Sequence, residues 1–528
     1  MISATDVLVV GAGPTGLGLA LQAADHGAAV RIVERRTETF RPSRALMVHA
    51  RTLEVLRPLG VTDALLDRAD TAPRARLHLG SRTVAVGLAE LDLPDTAFPH
   101  LTLVRQMDVE AVLEAALGAR GITVERGTAL RAVHDGADDA VAVVDGPTGA
   151  ARIRARAVAG CDGVESTVRT AAGIGWRGGT YDREIVLADV DLAGDLEPGI
   201  AHVVAGREGL VFVFALGECA PWRLLATRPC SAATPAAGRP GPPVTQEDLQ
   251  RLLDGAGLDA RIDRLAWSST IRLQHRTAPA FRRGRLFVVG DAAHASSPAG
   301  GQGMNTGLQD ATNLGWKLAL APTSTATASL LDSYDAERRP ADEQVLALTH
   351  LLFWAESSTS RTAGLLRGRL APWGAPVLPF LLRRRRLVAE GARLLARLDV
   401  GYRGSAVSAT GDPPRRGGPG PGDRLPDATV TCEGRAVRLH ALTARPGVHL
   451  LLDRDADDVA GAHPPVHVHR LANRPGAGVV AVRPDGHVGC TAADARDVAL
   501  TGWLRRVGLG LRLDGRSVQD ERTATSSS

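Results

Sequence analysis

The stretch DVLVVGAGPTGLGLALQAADHGAAVRIVE, Asp6 to Glu34, decides the fold. Asp6 to Val10 is an apolar run of buried-strand length, and GAGPTG follows at Gly11 to Gly16. A helical segment then runs to about Gly27, and Ala29 to Val33 is a second strand that ends on Glu34. Strand, glycine turn, helix and strand make a βαβ unit of the dinucleotide-binding kind. Gly11 permits the tight turn, Gly13 lets a pyrophosphate lie against the helix N-terminus, and Gly16 lets the helix pack on the strand. Glu34, 18 residues past Gly16, stands where an acid accepts hydrogen bonds from both hydroxyls of an adenosine ribose. The pattern leaves NAD and FAD both open.

A second stretch, GRLFVVGDAAHASSPAGGQGMNTGLQDATNLGWK from Gly284 to Lys317, carries the same logic to the other side of the molecule. Arg285 to Val289 suits a buried strand, and Gly290-Asp291 places a carboxylate at its carboxyl end. Pro298, Gly300, Gly301 and Gly303 lead into a helix with Met304, Leu308, Ala311, Leu314 and Leu318 on one face. Bare backbone before a helix lets first-turn N–H groups, at the positive end of the helix dipole, meet a flat or anionic ligand. A third turn of this kind is Cys161-Asp162-Gly163, after a strand through Ala157 to Gly160 and before a helix with Ser166, Thr167 and Arg169.

The 528 residues are too many for one core, so two to four domains are expected. A net charge of +4, from 62 basic against 58 acidic groups, gives no argument for nucleic acid. Lys317 is the one lysine, and the many arginines are read as compositional bias, which lowers the weight of any Arg cluster. Cys161, Cys219, Cys230, Cys432 and Cys490 lie far apart with no C-x-x-C pair and no metal-ligand spacing, which fits a reducing cytoplasm and predicts no metal. The chain starts directly on a strand, with no basic leader and no apolar run of bilayer length, so a cytoplasmic protein without a membrane segment is expected.

Between the turns, Arg41 to Leu59 reads as an Arg-rich loop and an amphipathic helix, with Arg44 suited to fork onto pyrophosphate. Arg76 to Leu93 alternates like strands, and Arg105-Gln106 opens a helix to Leu117. Ile185 to Val190, Leu210 to Ala215 and Trp222 to Thr227 alternate without intervening helices, which predicts an antiparallel sheet inserted between the nucleotide turns. Leu330 to Leu398 reads as helix broken at Pro340, Pro372, Pro376 and Pro379. Arg383 to Arg386 is taken as a solvated or dimer-facing surface, which leaves a homodimer open. A Gly/Pro/Arg-rich linker follows, and then a small α/β unit with strands at His449 to Leu452, Val479 to Val482 and His487 to Cys490, a turn at Pro484-Asp485-Gly486 and a helix from Ala493 to Val507.

GAGPTG with Glu34, the Asp162-Gly163 turn and Gly290-Asp291, in this order, resemble the three fingerprints of the class A flavoprotein monooxygenases of para-hydroxybenzoate hydroxylase type. RALMVHARTLE, RQMDVEAVL, GDAAHASSPAGGQGMNTGLQDATNLGWKLA and VRPDGHVG are similar to the aromatic polyketide hydroxylase branch. The resemblance implies an α/β fold: a Rossmann-like FAD-binding domain with an inserted antiparallel-sheet substrate domain and a C-terminal thioredoxin-like domain. It implies FAD-binding segments at 1–75, 106–180 and 275–400, the sheet at 76–105 and 181–274, a linker at 401–426, the thioredoxin-like part at 427–515 and a flexible tail at 516–528.

It further implies that FAD, bound non-covalently, rests on Gly11, Gly13, Pro14, Thr15 and Gly16, with Glu34 and Arg35 at the adenosine ribose. Arg44, Arg105 and Gln106 would meet the diphosphate, Asp162 would serve FAD and NADPH, and Gly290 and Asp291 would hold the ribityl chain or diphosphate. Pro298, Gly301, Gly303, Met304 and Asn305 would line the isoalloxazine, and no residue is assigned as catalytic beyond this flavin loop. His294 is read as structural. The C-terminal part lacks C-x-x-C and has Cys490 where the branch commonly carries an aromatic residue, so no redox chemistry is given to it.

The expected reaction is FAD- and NADPH-dependent hydroxylation of a polycyclic aromatic phenol by dioxygen through a hydroperoxyflavin, with NADPH binding transiently because only one GxGxxG is present. The competing expectations are Baeyer–Villiger oxygenation or an oxygen-independent redox reaction on the same scaffold, and a flavin-binding interaction protein without turnover.

Overall fold

The apolar run at the start of the chain becomes the centre of a parallel sheet. The computed structural model describes residues 2–38, 45–79, 82–87, 89, 91–205, 209–231, 234, 236, 239, 241–357, 384–411, 417–453, 459–462, 466–472, 478–513 and 516–517. The expectations for Arg44, for helix breaks at Pro372, Pro376 and Pro379, for Arg383 and for the tail beyond Ser517 lie outside the described residues. Strand Ile2–Val10 pairs in parallel with Gly149–Gly160 on one side and Val30–Glu34 on the other. Leu286–Val288 and Val124–Arg126 extend the sheet at its two flanks, again in parallel. Val7, Leu8 and Val9 are buried in one core with helix Pro14–Asp25 and the hairpin of Ala129–Asp135 and Ala140–Gly146, which is why the strand reads as a continuous apolar run. The register places Val10, Gly160 and Val288 level with one another, so all three nucleotide-type turns leave the same sheet edge.

Helix Pro14–Asp25 crosses helix Gln302–Leu320 at glycines. A Cβ on Gly18 would stand 3.0 Å from Leu308 Cδ2, one on Gly307 2.3 Å from Thr15 Oγ1, and one on Gly315 2.7 Å from Gln22 Cβ. Small residues at these three points let the backbones approach. Helix Gln302–Leu320 is in turn buried on nearly every side, Asp310 and Lys317 included. An internal helix of this kind must pair its charges.

The inserted sheet runs His294–Ala295, Ala260–Thr277, Arg177–Gly194, Trp222–Pro229, Leu210–Phe214, Ile200–Ala205, Arg74–Leu79, Arg82–Gly87. Its two long central strands pair antiparallel from Arg177 opposite Thr277 to Gly194 opposite Ala260. Alternate side chains part to opposite faces. Val186, Ala188, Val190, Val213 and Leu224 lie under helix Gln246–Gly255, while Ile185, Leu187, Ile271 and Leu273 pack toward Ala299 and Phe353.

Four features differ from the sequence expectation. Helix Thr327–Ser357 runs through Pro340 without ending there. Pro340 is exposed, and the opposite side of the helix is anchored by buried Tyr334, Glu337, Arg338 and Asp342, so tertiary packing outweighs the lost N–H. The expected linker is packed where it is described: Val407, Arg424 and Leu425 are buried, and Ala409–Thr410 pairs with the C-terminal sheet. The closing helix is Val498–Arg506, later than expected, because Asp497 caps it by accepting the Ala499 N–H at 2.7 Å. At the expected tail, Arg516–Ser517 pairs with Gly510–Leu513. Among the described residues no helix is long and apolar enough to cross a membrane.

The C-terminal unit, a seven-stranded sheet with the parallel pair Val448–Asp453 and Val466–Ala472 at its centre, docks through the turn at Pro484-Asp485-Gly486. Arg483 forks onto both oxygens of Glu337 at 2.7 Å and also pairs with Asp485. Lys317 and Asn313, from helix Gln302–Leu320, bond the same Glu337 at 2.8 and 2.7 Å. Burial alone would raise the Glu337 carboxyl, yet Arg483 and Lys317 beside it hold it well below the usual carboxylate range. A second chain of charge joins Arg424 to Glu54 and Asp95, and Arg51 to Glu54, the Asp485 carbonyl and His487.

Candidate functional site

The three turns interlock so tightly that glycine is required at each contact. Gly11 has φ +102°, and a Cβ there would fall 2.4 Å from the Cys161 carbonyl oxygen. A Cβ on Gly16 would lie 1.9 Å from the Gly11 oxygen, and one on Gly290, at φ +60°, 2.7 Å from Thr15 Oγ1. Gly13 and Gly303 behave differently. A Cβ at either would meet nothing within 4 Å, so both border open space. Gly13 is the N-cap of helix Pro14–Asp25, and Gly301, at φ +63°, is the N-cap of Gln302–Leu320; neither helix start has a side-chain cap. Two uncapped helix N-termini facing open space at one sheet edge form a cradle for an anionic, elongated ligand.

Charged groups ring this cradle. Glu34 accepts the Ala12 N–H at 2.9 Å and both the N–H and Nε of Arg36 at 3.0 Å. Burial would raise its carboxyl, but the bonds from Arg36 and Ala12 hold it below the usual range. Arg36, which the sequence reading passed over in favour of Arg35, is thus the base at the strand end, and its Nη1 is buried without a partner. Arg35 is exposed. Asp162 Oδ2 accepts the Thr167 N–H at 2.7 Å, while Oδ1 is buried and unpartnered, and burial raises this carboxyl. Asp291 is exposed at the edge, with no hydrogen bond or ion pair to a described residue.

Other expected residues are differently engaged. Arg105 pairs with Asp108 at 2.6 Å, and Gln106 donates to Glu110 at 2.8 Å. Pro298 is exposed and Met304 is buried. The Asn305 side chain faces the protein: its amide donates to the Gly301 carbonyl at 2.7 Å and the Met47 carbonyl at 2.9 Å, and its oxygen accepts the His49 N–H at 2.8 Å. His49 Nε2 lies 2.9 Å from the Gly300 carbonyl, and burial holds this imidazole down at about 4, so it is neutral and donates there.

Behind the cradle lies a buried ion cluster. His294 Nε2 is 2.7 Å from Asp310, which also accepts the Gly290 N–H at 3.1 Å. Arg338 bridges Asp310 at 2.6 Å and Asp342 at 2.8 Å and bonds the Tyr402 hydroxyl at 3.0 Å. Burial would depress His294, but Asp342 and Asp310 carry it up to about 9. His294, Asp310 and Asp342 have a spacing that suits a metal ion, but the Arg338 guanidinium already bonds both carboxylates and His294 lies against them too, so the cluster reads as an ion-pair brace. Where the inserted sheet meets the glycine loop, Tyr181, His275, His350 and Phe353 form an aromatic group. Tyr181 Oη is 2.8 Å from His350 Nδ1, and His275 Nδ1 is buried and unpartnered. No spacing pattern announces these residues, because they come from three distant segments.

The FAD binding domain family, FAD_binding_3, matches residues 4–349. A 6-methylpretetramide 4-monooxygenase of Streptomyces rimosus is 30% identical over 95% of this chain and 93% of its own. The crystal structure of CabE, an aromatic hydroxylase from angucycline biosynthesis, superposes with a TM-score of 0.73 at 31% identity, covering 96% of this chain and all of that one. A ternary complex of aklavinone-11 hydroxylase with FAD and aklavinone has a TM-score of 0.73 at 28% identity, over 95% of this chain and 98% of that one.

Proposed function

This chain belongs to the FAD binding domain family and is a flavin-dependent aromatic monooxygenase, and we propose that it performs the NADPH-dependent hydroxylation of a polycyclic phenol of polyketide type in the cytoplasm. The observation that carries the reading is the convergence of three glycine turns beneath one apolar sheet face. The residues present fit FAD. Gly13 and Gly303 leave room at two helix N-termini, and Asp162 Oδ1 and Arg36 Nη1 are buried polar atoms awaiting partners. In this reading Gly13 and the first turn of Pro14–Asp25 take the pyrophosphate, Glu34 and Arg36 the adenosine ribose, and Asp291 the ribityl chain. The first turn of Gln302–Leu320 takes the charged edge of the ring.

Bound FAD supplies acceptance of hydride from NADPH and activation of dioxygen. This chain supplies the rest. Ile185, Leu187, Ile271, Leu273 and Ala299 exclude water above the loop, and the flat rings of Tyr181, His350 and Phe353 give a planar substrate a wall to lie against. Only one glycine-rich nucleotide turn of GxGxxG type is present, so NADPH binds transiently and has no domain of its own.

Asp291→Ala is expected to weaken FAD retention by about 1.5–3 kcal/mol, the worth of a hydrogen bond to a charged group. Glu34→Ala is expected to cost less, since Glu34 is already satisfied by Ala12 and Arg36. Flavin absorbance after dialysis measures both, and a full spectrum in dialysed Asp291→Ala would contradict the placement. The reaction itself is tested by turnover under isotope-labelled dioxygen with an anthracyclinone- or angucyclinone-like phenol. Mass spectrometry is expected to show one labelled oxygen on the ring and NADPH oxidation accelerated severalfold by the phenol. Label arriving only from water sinks the monooxygenase assignment, and label within a ring ester establishes Baeyer–Villiger oxygenation instead.

A further inference from the structure

His49 belongs to none of the three turns, yet it holds both αL glycines of the loop. Gly300 and Gly301 sit at φ +70° and +63°, a conformation in which a peptide plane flips readily unless its carbonyl is held. Each carbonyl is held from inside the protein, and His49 makes the shorter of the two side-chain bonds to Gly300 O, the other coming from Gln302 Nε2 at 3.4 Å. Gly300 O accepts from His49 Nε2, and Gly301 O accepts from the Asn305 amide, whose own oxygen accepts the His49 backbone N–H. In a trans peptide the C=O and N–H point opposite ways. Tying the Gly301 carbonyl back toward Asn305 therefore turns the Gln302 N–H outward, on the side where Gly303 borders open space.

We propose that His49 is a positioning residue for the flavin, held in place by the C-terminal unit. It keeps the loop's carbonyl oxygens out of the site and its N–H groups turned toward the ring edge that becomes negative on reduction. The observation linking it to the C-terminal unit is the helix Ala50–Leu56, which starts at the residue after His49 and is buried along its whole length. Arg51, on its first turn, donates to the Asp485 carbonyl at 2.6 Å and lies 3.2 Å from His487 Nδ1. Glu54, on its last turn, is forked by Arg424 at 2.6 and 2.9 Å. All three partners, Asp485, His487 and Arg424, come from residues 424–487, so the C-terminal unit fixes the position from which His49 reaches the loop. This gives a role in cofactor electrostatics to a unit whose cysteines show no redox pairing.

Carbonyl oxygens turned toward the site would repel charge on the reduced ring while affecting the neutral oxidised ring little. The inference rests on flavin binding, not on the identity of the organic substrate. The test compares the wild type with His49→Ala, His49→Gln and Arg51→Met in the full chain, measuring the dissociation constants of oxidised and reduced FAD and the midpoint potential against a reference dye. His49→Ala is expected to bind reduced FAD at least tenfold more weakly relative to oxidised FAD than the wild type does. His49→Gln, whose amide N–H reaches the same carbonyl, is expected to restore most of the difference, and Arg51→Met to shift the ratio in the same direction by a smaller factor. An unchanged ratio in folded, FAD-loaded His49→Ala overturns the proposal, as does equal loss in His49→Ala and His49→Gln. A wild type that binds FAD in both states but hydroxylates no phenol would remove the hydroxylase reading and leave this inference standing.

Discussion

Arg338→Met is expected to give the largest loss of stability of any single change, about 3–5 kcal/mol, because it leaves Asp310 and Asp342 buried against each other with only His294 between them. Burial already pushes the Asp342 carboxyl up, and Arg338 is the first group opposing that rise. Without it, one carboxyl must stay protonated near neutral pH or the cluster must open to water. The consequence reaches the cofactor, since Asp310 holds the Gly290 N–H that precedes Asp291. Thermal unfolding of the purified variant, with flavin absorbance recorded on the same sample, is expected to show a much lower midpoint together with flavin loss. A variant that melts with the wild type would show that the cluster contributes no net stability.

Gly307→Ala is the second. Alanine is favoured over glycine inside a helix by about 0.8–1 kcal/mol, so propensity alone predicts stabilisation. Here the new Cβ would stand 2.3 Å from Thr15 Oγ1 and 3.4 Å from Gly290 Cα, and overpacking of this kind costs about 1–3 kcal/mol. The clash wins, and it acts where the Gly11–Gly16 turn and the Gly290 turn touch, so FAD retention is expected to fall at least tenfold. Thr15→Ala removes the offending oxygen. The double variant Thr15→Ala/Gly307→Ala is expected to regain much of the bound flavin, whereas equal flavin loss in single and double variants would place the effect elsewhere.

The parts of the site that the sequence displays are those built from neighbours in the chain. A strand, a glycine at positive φ and a helix N-terminus sit within a few residues of one another at Gly11 and Gly290, so local spacing is enough to read them. Period-2 alternation likewise shows the inserted sheet, because Val186, Ala188 and Val190 must face a helix while Ile185 and Leu187 face the loop. Arg36 was harder to choose over Arg35, since the two adjacent arginines differ only in which way the backbone turns after Glu34. Tyr181, His275 and His350 carry no spacing signal, because they meet only where helix Thr327–Ser357 packs on the inserted sheet, and the role of His49 depends on a carbonyl 251 positions away. Discounting arginine as compositional bias hid the most consequential group. Arg338, Arg424 and Arg483 are nearly fully buried, and none of them stands in an arginine run longer than two.

The docking of the Pro484-Asp485-Gly486 turn has a consequence for recombination among such enzymes. Glu337 and Lys317 on one side and Arg483 and Asp485 on the other form one charge-balanced set, and Arg51 and Glu54 share a second with Arg424. A chimaera joined near residue 400 inherits half of each set from each parent. Where the parents differ at any member, the hybrid interface buries an unmatched charge, at several kcal/mol, however well either half is made. Gene-shuffled progeny should therefore survive when helix Ala50–Leu56, helices Gln302–Leu320 and Thr327–Ser357, Arg424 and the C-terminal turn travel together from one parent, and the crossover points that respect this set are few.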